Sequence, residues 1–108
     1  MSIRETANAA PPLSLESEKD FSQTVFNLAR MLGWLAVRFP TWRATGTTPG
    51  YPDLTMVRGN RLIFAELKGP RGKVSAVQDE WLTALASAGA ETYKWWPKDW
   101  EQIKEVLQ

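Results

Sequence analysis

The chain has 108 residues, of which 44% are hydrophobic and 23% charged, and its formal net charge is +1 at pH 7. This length is typical of one domain with a modest core, and the near-neutral charge does not by itself indicate a nucleic-acid partner. The absence of Cys and His excludes thiol nucleophiles, Ser-His-Asp triads, histidine general bases and Cys/His zinc sites. Any chemistry therefore has to come from carboxylates, Lys, Tyr, Ser or Thr, or from a bound metal.

The sequence indicates one cytoplasmic domain behind a short leader. Residues 1–13 are small and polar and show no periodicity, so we expect a disordered leader and a single domain over residues 14–108. No apolar run approaches the ~20 residues of a membrane-spanning helix, and the N-terminus lacks the apolar core of a signal peptide. We therefore expect a cytoplasmic location and no membrane partner.

The first predicted element is a helix. It should begin near Ser14 to Ser17, either of which is suited to cap it, and Gly33 is placed to end it. Glu18 falls in the first turn, where an acid also favours the helix dipole. The apolar stripe of this helix has helical spacing and consists of Phe21, Val25, Leu28, Ala29 and Leu32.

A strand and a long loop come next. Residues 34–39 alternate and are β-prone, and Pro40 ends the run, so they predict a first strand. Residues 41–49 predict a flexible loop that carries Trp42 and Arg43, which are candidate DNA contacts. Trp42 is suited to stack on an unpaired base, although a loop Trp more often packs on its own domain.

Two β-prone runs on either side of residues 59–60 (Gly-Asn) predict a short hairpin. Counting outward from this loop places Asp53 opposite Glu66, and Pro52 favours extended geometry just before Asp53. Directly opposed residues share a face, with Cβ atoms about 4.5–5.5 Å apart. Strand alternation puts Lys68 on the same face as Glu66. Two carboxylates and one ammonium should therefore converge at the open end of the hairpin.

Opposed carboxylates destabilise a sheet, so something must offset their repulsion. Lys68, a proton and a divalent cation are the alternatives. A hard cation such as Mg²⁺ suits the site, because it prefers oxygen ligands and often binds through one or two carboxylates plus substrate phosphate. The simpler alternative is that Asp53 only starts a strand while Glu66 and Lys68 lie on a solvated face.

The loop after the hairpin is basic and rich in turn-forming residues. It spans Gly69 to Lys73, and its Arg71 and Lys73 are candidate contacts to backbone phosphates. Between residues 38 and 73 the only acids are the two proposed ligands, so their surroundings are basic, as phosphate binding requires. A solvated loop surface is the alternative interpretation.

The last third of the chain predicts helix, strand and helix. Ser75 followed by Gln78 forms a capping box, which explains Gln78 structurally. The predicted buried face of that helix is Val77, Trp81, Leu82, Leu85 and Ala86. A strand over 91–96 and a final helix capped by Asp99 follow. The expected fold class is α/β, in the order α-β-β-β-α-β-α, with a small mixed sheet flanked by helices.

Several of these features together resemble a known family. The matching segments, in chain order, are Glu18 on a helix, Gly50-Tyr51-Pro52-Asp53, Ile63-Phe64-Ala65-Glu66-Leu67-Lys68, Gly72-Lys73-Val74-Ser75 and Gln78. This pattern resembles the PD-(D/E)XK nuclease superfamily, whose core is restriction-endonuclease-like. Within it, the pattern is similar to the stand-alone virus-type replication-repair nuclease (VRR-NUC) domains of phages and bacteria, over about residues 15 to 107.

The resemblance implies a metal-dependent endonuclease that hydrolyses phosphodiester bonds in DNA. Asp53, Glu66 and the backbone carbonyl of Leu67 would hold Mg²⁺ or Mn²⁺, Lys68 would be catalytic, and Glu18 and Gln78 would lie at the active site. It further implies a homodimer that acts on branched DNA, including four-way (Holliday) junctions, in a bacterial cell or phage-infected host.

Other functions remain open at this stage. The chain could be a catalytically weak nucleic-acid-binding module, a restriction-like enzyme with sequence specificity, or a purely structural α/β protein. No extra region for base recognition is evident, which favours recognition of DNA shape. For the homodimer, a sheet edge or the strand face carrying Trp96 is the expected contact, because aromatic residues are enriched at interfaces.

Overall fold

The computed structural model describes residues 17–39 and 49–108, so the leader, Trp42 and Arg43 lie outside the described residues. The described elements are α1 (Glu18–Met31), β1 (Leu35–Arg38), β2 (Leu54–Arg58), β3 (Arg61–Leu67), α2 (Ala76–Ser87), β4 (Glu91–Trp95) and α3 (Trp100–Leu107). A 3₁₀ turn over Pro97–Asp99 leads into α3. This is the predicted order α-β-β-β-α-β-α.

The four strands form one mixed sheet in the order β1-β2-β3-β4. β1 pairs with β2 and β2 with β3 in antiparallel fashion, and the two residues 59–60 join β2 to β3 as a tight hairpin. β3 and β4 are parallel, and α2 is the crossover that parallel strands need. The mixed α/β class predicted from the sequence is therefore confirmed.

Helix α1 forms as its sequence predicts. The Ser17 hydroxyl caps it by accepting a 3.0 Å hydrogen bond from the Asp20 amide, and Gly33, with a φ of +90°, follows its end. Four of the five predicted apolar positions are buried, namely Phe21, Val25, Leu28 and Ala29. The fifth, Leu32, follows the helix and is half-buried.

Helices cover the two faces of the sheet unequally. One face packs against α1 and α3 to form the core, whose sheet residues are Leu54, Met56, Ile63, Ala65, Leu67 and Trp95. The other face carries Phe64 and Glu66, and α2 packs over it along β3 and β4. No helix within residues 17–39 and 49–108 is long and apolar enough to cross a membrane.

Three strand ends differ from the prediction. Phe39 follows β1, which ends at Arg38. Trp34 precedes β1 instead of opening it, because its ring is buried in the core and its indole N–H donates to the Leu107 carbonyl at 2.9 Å. β4 ends at Trp95, so Trp96 is not part of the strand.

The predicted buried face of α2 is wrong in part. Leu82 is buried, but Val77 is 40% exposed and Ala86 is also exposed, while the polar Gln78 is buried. Gln78 and Leu82 are one helical turn apart, so they share a face. That face turns inward because Gln78 hydrogen-bonds a buried carboxylate of β3, which apolar periodicity cannot reveal.

Candidate active site

The hairpin has the predicted register. Arg58 pairs with Arg61 and Leu54 with Ala65. Asp53 directly precedes β2, so the same register places it across from Glu66. Both carboxylates are buried, with exposed fractions of 2% for Asp53 and 0% for Glu66. The solvated-face alternative for these acids is therefore wrong.

The segment before Asp53 is fixed by close packing. Gly50 has a φ of +86°, and a Cβ there would lie 2.8 Å from the backbone of Val77 in α2. The ring of Tyr51 makes edge contacts with Phe39, Phe64 and Trp81, at centroid distances of 5.7, 6.3 and 5.2 Å. This packing anchors the chain on the α2 face and sets the position at which Asp53 enters the hairpin.

Asp53 also bonds to β3. Its Oδ2 accepts a 2.9 Å hydrogen bond from the backbone N–H of Leu67. Leu67 is buried at the end of β3, between Glu66 and Lys68. The carboxylate and the main chain of Leu67 are thus adjacent, as the predicted ligand set requires, and the role of the Leu67 carbonyl as a ligand stays a prediction.

Glu66 is incompletely hydrogen-bonded. Its Oε2 accepts a 3.0 Å bond from Gln78 Nε2, whereas its buried Oε1 has no hydrogen-bond partner in the structure described. Lys68 Nζ lies 3.7 Å from Oε2, which is close enough for an ion pair but too far for a hydrogen bond. An unpaired buried oxygen is costly, so Oε1 marks a place where a ligand would stabilise the site.

The environment of Glu66 disfavours its charge. Burial is the largest cause, followed by the negative charge of Asp53 and a hydrogen bond to Asp53 that only the protonated carboxyl can donate, and together they raise the pKa of Glu66 to about 9 despite the opposing effect of Lys68. Such a carboxyl holds a proton at neutral pH unless a cation replaces it. A proton and a metal ion are thus alternative occupants of the same site.

Lys68 lies between two acids. Its Nζ is 3.7 Å from Glu66 Oε2 and 3.9 Å from Glu18 Oε1. Lys68 is 8% exposed, so its charge is largely removed from water. Glu18 therefore contacts the site through Lys68. Its predicted role on the metal water shell stays a prediction.

Gln78 combines two structural roles. Its Oε1 accepts from the Ser75 amide at 2.8 Å and its own amide donates to the Ser75 hydroxyl at 3.2 Å, which completes the predicted capping box. Its Nε2 is then left to bond Glu66. The start of α2 is thus attached directly to the carboxylate pair.

The residues present fit a hard divalent cation. No group of three or more Asp, Glu, His or Cys side chains in the described part of the chain is arranged to hold a metal. Two carboxylates with an unpartnered oxygen are nevertheless the protein ligands that Mg²⁺ commonly uses, with water and substrate phosphate completing its shell. Buried oxygens and the absence of sulfur and imidazole ligands favour Mg²⁺ or Mn²⁺ over zinc.

The predicted DNA-contacting residues are only partly described. Arg71 and Lys73 are exposed in the loop after β3. Arg71 also lines a surface pocket of about 440 Å³ together with Glu18, Gly69, Pro70 and Gly72. Trp42 and Arg43 lie outside the described residues.

Part of the basic surroundings inferred from the sequence is wrong. Arg58 and Arg61 lie at the far end of the hairpin, where their guanidinium groups bond backbone carbonyls and Glu91. Strand length explains the error. Arg58 and Arg61 lie near Asp53 and Glu66 in sequence, but the strands of the hairpin place the two arginines at the opposite end from the two acids. Lys68 remains beside Glu66, and Arg71 lines a pocket with Glu18.

Sequence reasoning missed the role of Trp96. It expected Trp96 on an exposed strand face, but Trp96 is half-buried and its indole N–H donates to the Gly72 carbonyl at 2.7 Å. The nearest sequence signal is Pro97, which ends the strand at this point and lets the ring leave the sheet.

The chain matches no protein-family model, and a search of curated proteins finds no relative.

Proposed function

We propose that this protein is a divalent-metal-dependent endonuclease with a PD-(D/E)XK core that hydrolyses phosphodiester bonds in DNA. The observation that carries the proposal is a pair of buried, opposed carboxylates, Asp53 and Glu66, beside the buried ammonium of Lys68. Structural ion pairs also occur in buried positions, but here one lysine faces two acids at 3.7 and 3.9 Å and the Glu66 Oε1 is left unpaired. A buried carboxylate oxygen without a partner, next to a second buried carboxylate, supports a cation site here.

Each residue has a definite role in this proposal. Asp53 and Glu66 hold Mg²⁺ or Mn²⁺, with the Leu67 carbonyl as the third protein ligand. When bound, the ion lowers the pKa of water and polarises a phosphoryl oxygen. Lys68 orients the attacking water and stabilises the negative charge that develops on the phosphate. Gln78 holds Glu66 in place, and Glu18 holds the Lys68 ammonium from the other side.

DNA is the proposed substrate because the open end of the hairpin is bordered by a basic loop. Arg71 and Lys73 are exposed and follow Lys68 closely in the chain, which supports contacts from this loop to backbone phosphates. A preference for branched DNA, including four-way junctions, rests on the family resemblance alone.

A homodimer is also proposed, and of the two contacts that the sequence suggested, a sheet edge is favoured over the strand face carrying Trp96. Leu35, Val57 and Leu62 are exposed and lie side by side across β1, β2 and β3, with Leu35 76% exposed. β1 is an edge of the described sheet, and a second copy would cover both the edge and this apolar row. Light scattering should give a particle of twice 12.2 kDa, and Leu35→Lys should convert it to monomer. A wild-type monomer at micromolar concentration would contradict the proposal.

The central experiment compares two lysines. Wild type, Lys68→Ala and Lys94→Ala are incubated with labelled linear, flapped and four-way DNA, with Mn²⁺ or with chelator. Lys94 is the matched control, because it lies in register with Glu66 on β4 but is exposed and paired with Asp79. Wild type and Lys94→Ala should cleave only with metal, and Lys68→Ala should not cleave.

Each alternative function gives a different result. A nucleic-acid-binding module would bind DNA without metal-dependent cleavage. A sequence-specific enzyme would cut linear duplexes at discrete sites regardless of branching. A structural protein would neither bind nor cut, and its melting temperature would not respond to Mn²⁺.

A further inference from the structure

The loop after β3 folds back over the Lys68 side chain. The Gly72 amide donates to the Gly69 carbonyl at 2.9 Å, which closes a tight turn. A Cβ added to Gly72 would lie 3.1 Å from Lys68 Cβ and 3.2 Å from Lys68 Cδ. The backbone of Gly72 is thus packed against the aliphatic stem of Lys68. This packing limits where the ammonium at the end of the stem can lie.

Trp96 holds this loop in place. Its indole N–H donates to the carbonyl of Gly72 at 2.7 Å. The backbone of Trp96 is itself fixed, because its amide donates to Asp99 Oδ2 at 2.8 Å in the turn before α3. The path from Asp99 through Trp96 to Gly72 therefore consists of direct hydrogen bonds.

The end of β4 also holds the backbone of Lys68. The Lys68 amide donates to the carbonyl of Trp95 at 2.9 Å. Two consecutive residues thus act on one lysine, Trp95 on its main chain and Trp96, through Gly72, on its side chain. A lysine side chain with four rotatable bonds loses much rotamer freedom when it is fixed, so such restraint is needed to keep the ammonium in one position.

We propose that Trp96 is a positioning residue for Lys68. By fixing the Gly72 carbonyl it keeps the Lys68 stem packed and its ammonium between Glu18 and Glu66, where it faces the scissile phosphate. The inference rests on the proposed nuclease function for its catalytic consequence. Its structural part, that Trp96 restrains Lys68, stands independently.

Two variants test the packing of Gly72 on the Lys68 side chain, one by removing the bond that holds Gly72 and the other by adding a methyl group to Gly72. Trp96→Phe keeps an aromatic ring but removes the indole N–H, so the Gly72 carbonyl is deprived of its partner and the loop is freed. Gly72→Ala adds a methyl group where the Lys68 stem lies within 3.1 Å, so the stem must move while the indole bond can remain. Trp34→Phe is the matched control, since it also removes an indole bond to a backbone carbonyl, that of Leu107, but at the far end of the hairpin.

Two measurements are made on each variant. The first is kcat and KM for DNA cleavage with Mn²⁺. The second is the rate at which a limiting acylating reagent modifies Lys68 in the metal-free protein, scored by mass spectrometry against the exposed Lys19. Trp96→Phe and Gly72→Ala should lower kcat about tenfold or more, since small misplacements of catalytic groups cost up to roughly 100-fold, with KM little changed. Both should change the rate at which Lys68 is acylated. Trp34→Phe should change neither this rate nor kcat.

The outcomes separate this inference from the nuclease proposal. If wild type does not cleave, the nuclease proposal fails, and Lys68 acylation alone decides whether Trp96 restrains the lysine. If wild type cleaves but Trp96→Phe keeps both its kcat and its Lys68 protection, the inference is overturned. It is also overturned if Trp34→Phe matches the effect of Trp96→Phe, because the effect would then be general. Should Trp96→Phe fail to fold, Gly72→Ala decides whether the backbone that Trp96 holds restrains Lys68, and unchanged kcat and Lys68 protection in that variant would overturn the inference.

Discussion

Each end of the β2–β3 hairpin sets two like charges opposite each other, and the two ends neutralise these charges to different extents. At the closed end Arg58 directly faces Arg61, and at the open end the register sets Asp53 across from Glu66. Like charges in such positions destabilise a sheet. The closed end resolves its repulsion with groups of the protein itself, and the open end does so only in part.

The closed end surrounds its arginines with acceptors. Arg58 donates to the carbonyls of Leu32, Leu107 and Gln108, each at 3.0 Å, near the C-termini of α1 and α3. The negative ends of helix dipoles favour cations there. Arg61 forms a two-pronged pair with Glu91, with both bonds at 2.8 Å. Both guanidinium groups also lie over the Trp34 ring, at 4.5 and 5.1 Å from its centroid.

The open end differs from the closed end at Glu66, within the residues that the structure describes. Asp53 receives the Leu67 amide and Glu66 receives the Gln78 amide, but Glu66 Oε1 is unpaired and Lys68 stays 3.7 Å away. The contrast shows that this fold is able to neutralise a like-charge pair. Incomplete neutralisation at the open end, where one buried oxygen of Glu66 has no hydrogen-bond partner among the described residues, is what the proposed cation site would explain.

The largest expected effect is at the open end. Asp53→Asn should lower Mn²⁺-dependent cleavage more than about 100-fold, since even changes next to metal ligands cost roughly 10–100-fold. It should also forfeit most of the stabilisation by metal, which for wild type is about 2.7 kcal/mol at a hundredfold excess over Kd. Melting temperatures with Mn²⁺ and with chelator measure this second effect.

Without metal the same variant should behave oppositely. The side-chain amide oxygen introduced by Asp53→Asn can still accept the hydrogen bond from the Leu67 amide, and one charge of the opposed pair is gone. With chelator, this variant should be at least as stable as wild type, by about 0.5–1 kcal/mol, the range for a cross-strand pair. A metal-free variant that melts well below wild type and still shifts fully with Mn²⁺ would show that Asp53 is structural.

A change at the closed end should affect stability and leave cleavage intact. Arg58→Met keeps much of the aliphatic stem but leaves three carbonyls without their charged donor, which should cost about 1.5–3 kcal/mol. Urea unfolding measures the destabilisation, and cleavage per folded molecule should equal that of wild type. A destabilisation within about 0.5 kcal/mol, as for ordinary surface substitutions, would mean that the arginines are not needed to neutralise this end.

The two ends should also respond oppositely to pH. The pKa of Glu66 is raised from 4.5 to about 9, so its contribution to metal-free stability is fully present below about 4.5 and is lost as pH rises through about 9. The pKa of Glu91 is lowered, first by its hydrogen bonds with Arg61, so its contribution is present above its ordinary value and is lost as pH falls. With chelator, Glu66→Gln should remove the loss of folding stability at alkaline pH. Glu91→Gln should remove the loss of folding stability at acid pH. If the stability of both variants depends on pH as that of wild type does, the two ends of the hairpin do not respond oppositely to pH.

The smallest expected effect concerns the loop beside the open end. If Arg71 and Lys73 bind phosphates, removing each of these charges should reduce the slope of log K against log salt by about 0.9 on duplex DNA. Titrations of the double alanine variant at several salt concentrations measure this slope. Arg58→Met is the control, because its guanidinium is engaged at the closed end and its removal should leave the slope unchanged. If the double variant binds DNA with the same affinity and the same salt slope as wild type, Arg71 and Lys73 are residues of an ordinary solvated loop.

Much of the fold was predictable because it depends on local signals. Ser17 and Ser75 mark helix starts through hydrogen bonds within one turn. The Gly59–Asn60 loop sets the hairpin register, and the register alone places Asp53 across from Glu66. Loop length and strand alternation are properties of neighbouring residues, so the carboxylate pair was visible in the sequence.

The features that only the tertiary structure decided depend on contacts between distant segments. Glu18 meets Lys68 because α1 begins beside the loop after β3, and Trp96 bonds Gly72 because β4 ends there. The buried face of α2 was mispredicted for the same reason, since a bond to Glu66 outweighs apolar periodicity. Arg58 and Arg61 belong to the basic stretch of residues 38–73 in the sequence, but in the fold they bond carbonyls near the end of α3, away from the acids. By itself the sequence determined which charges face each other, because register is local. Which of those charges are neutralised was decided by tertiary packing, because the neutralising groups come from other elements.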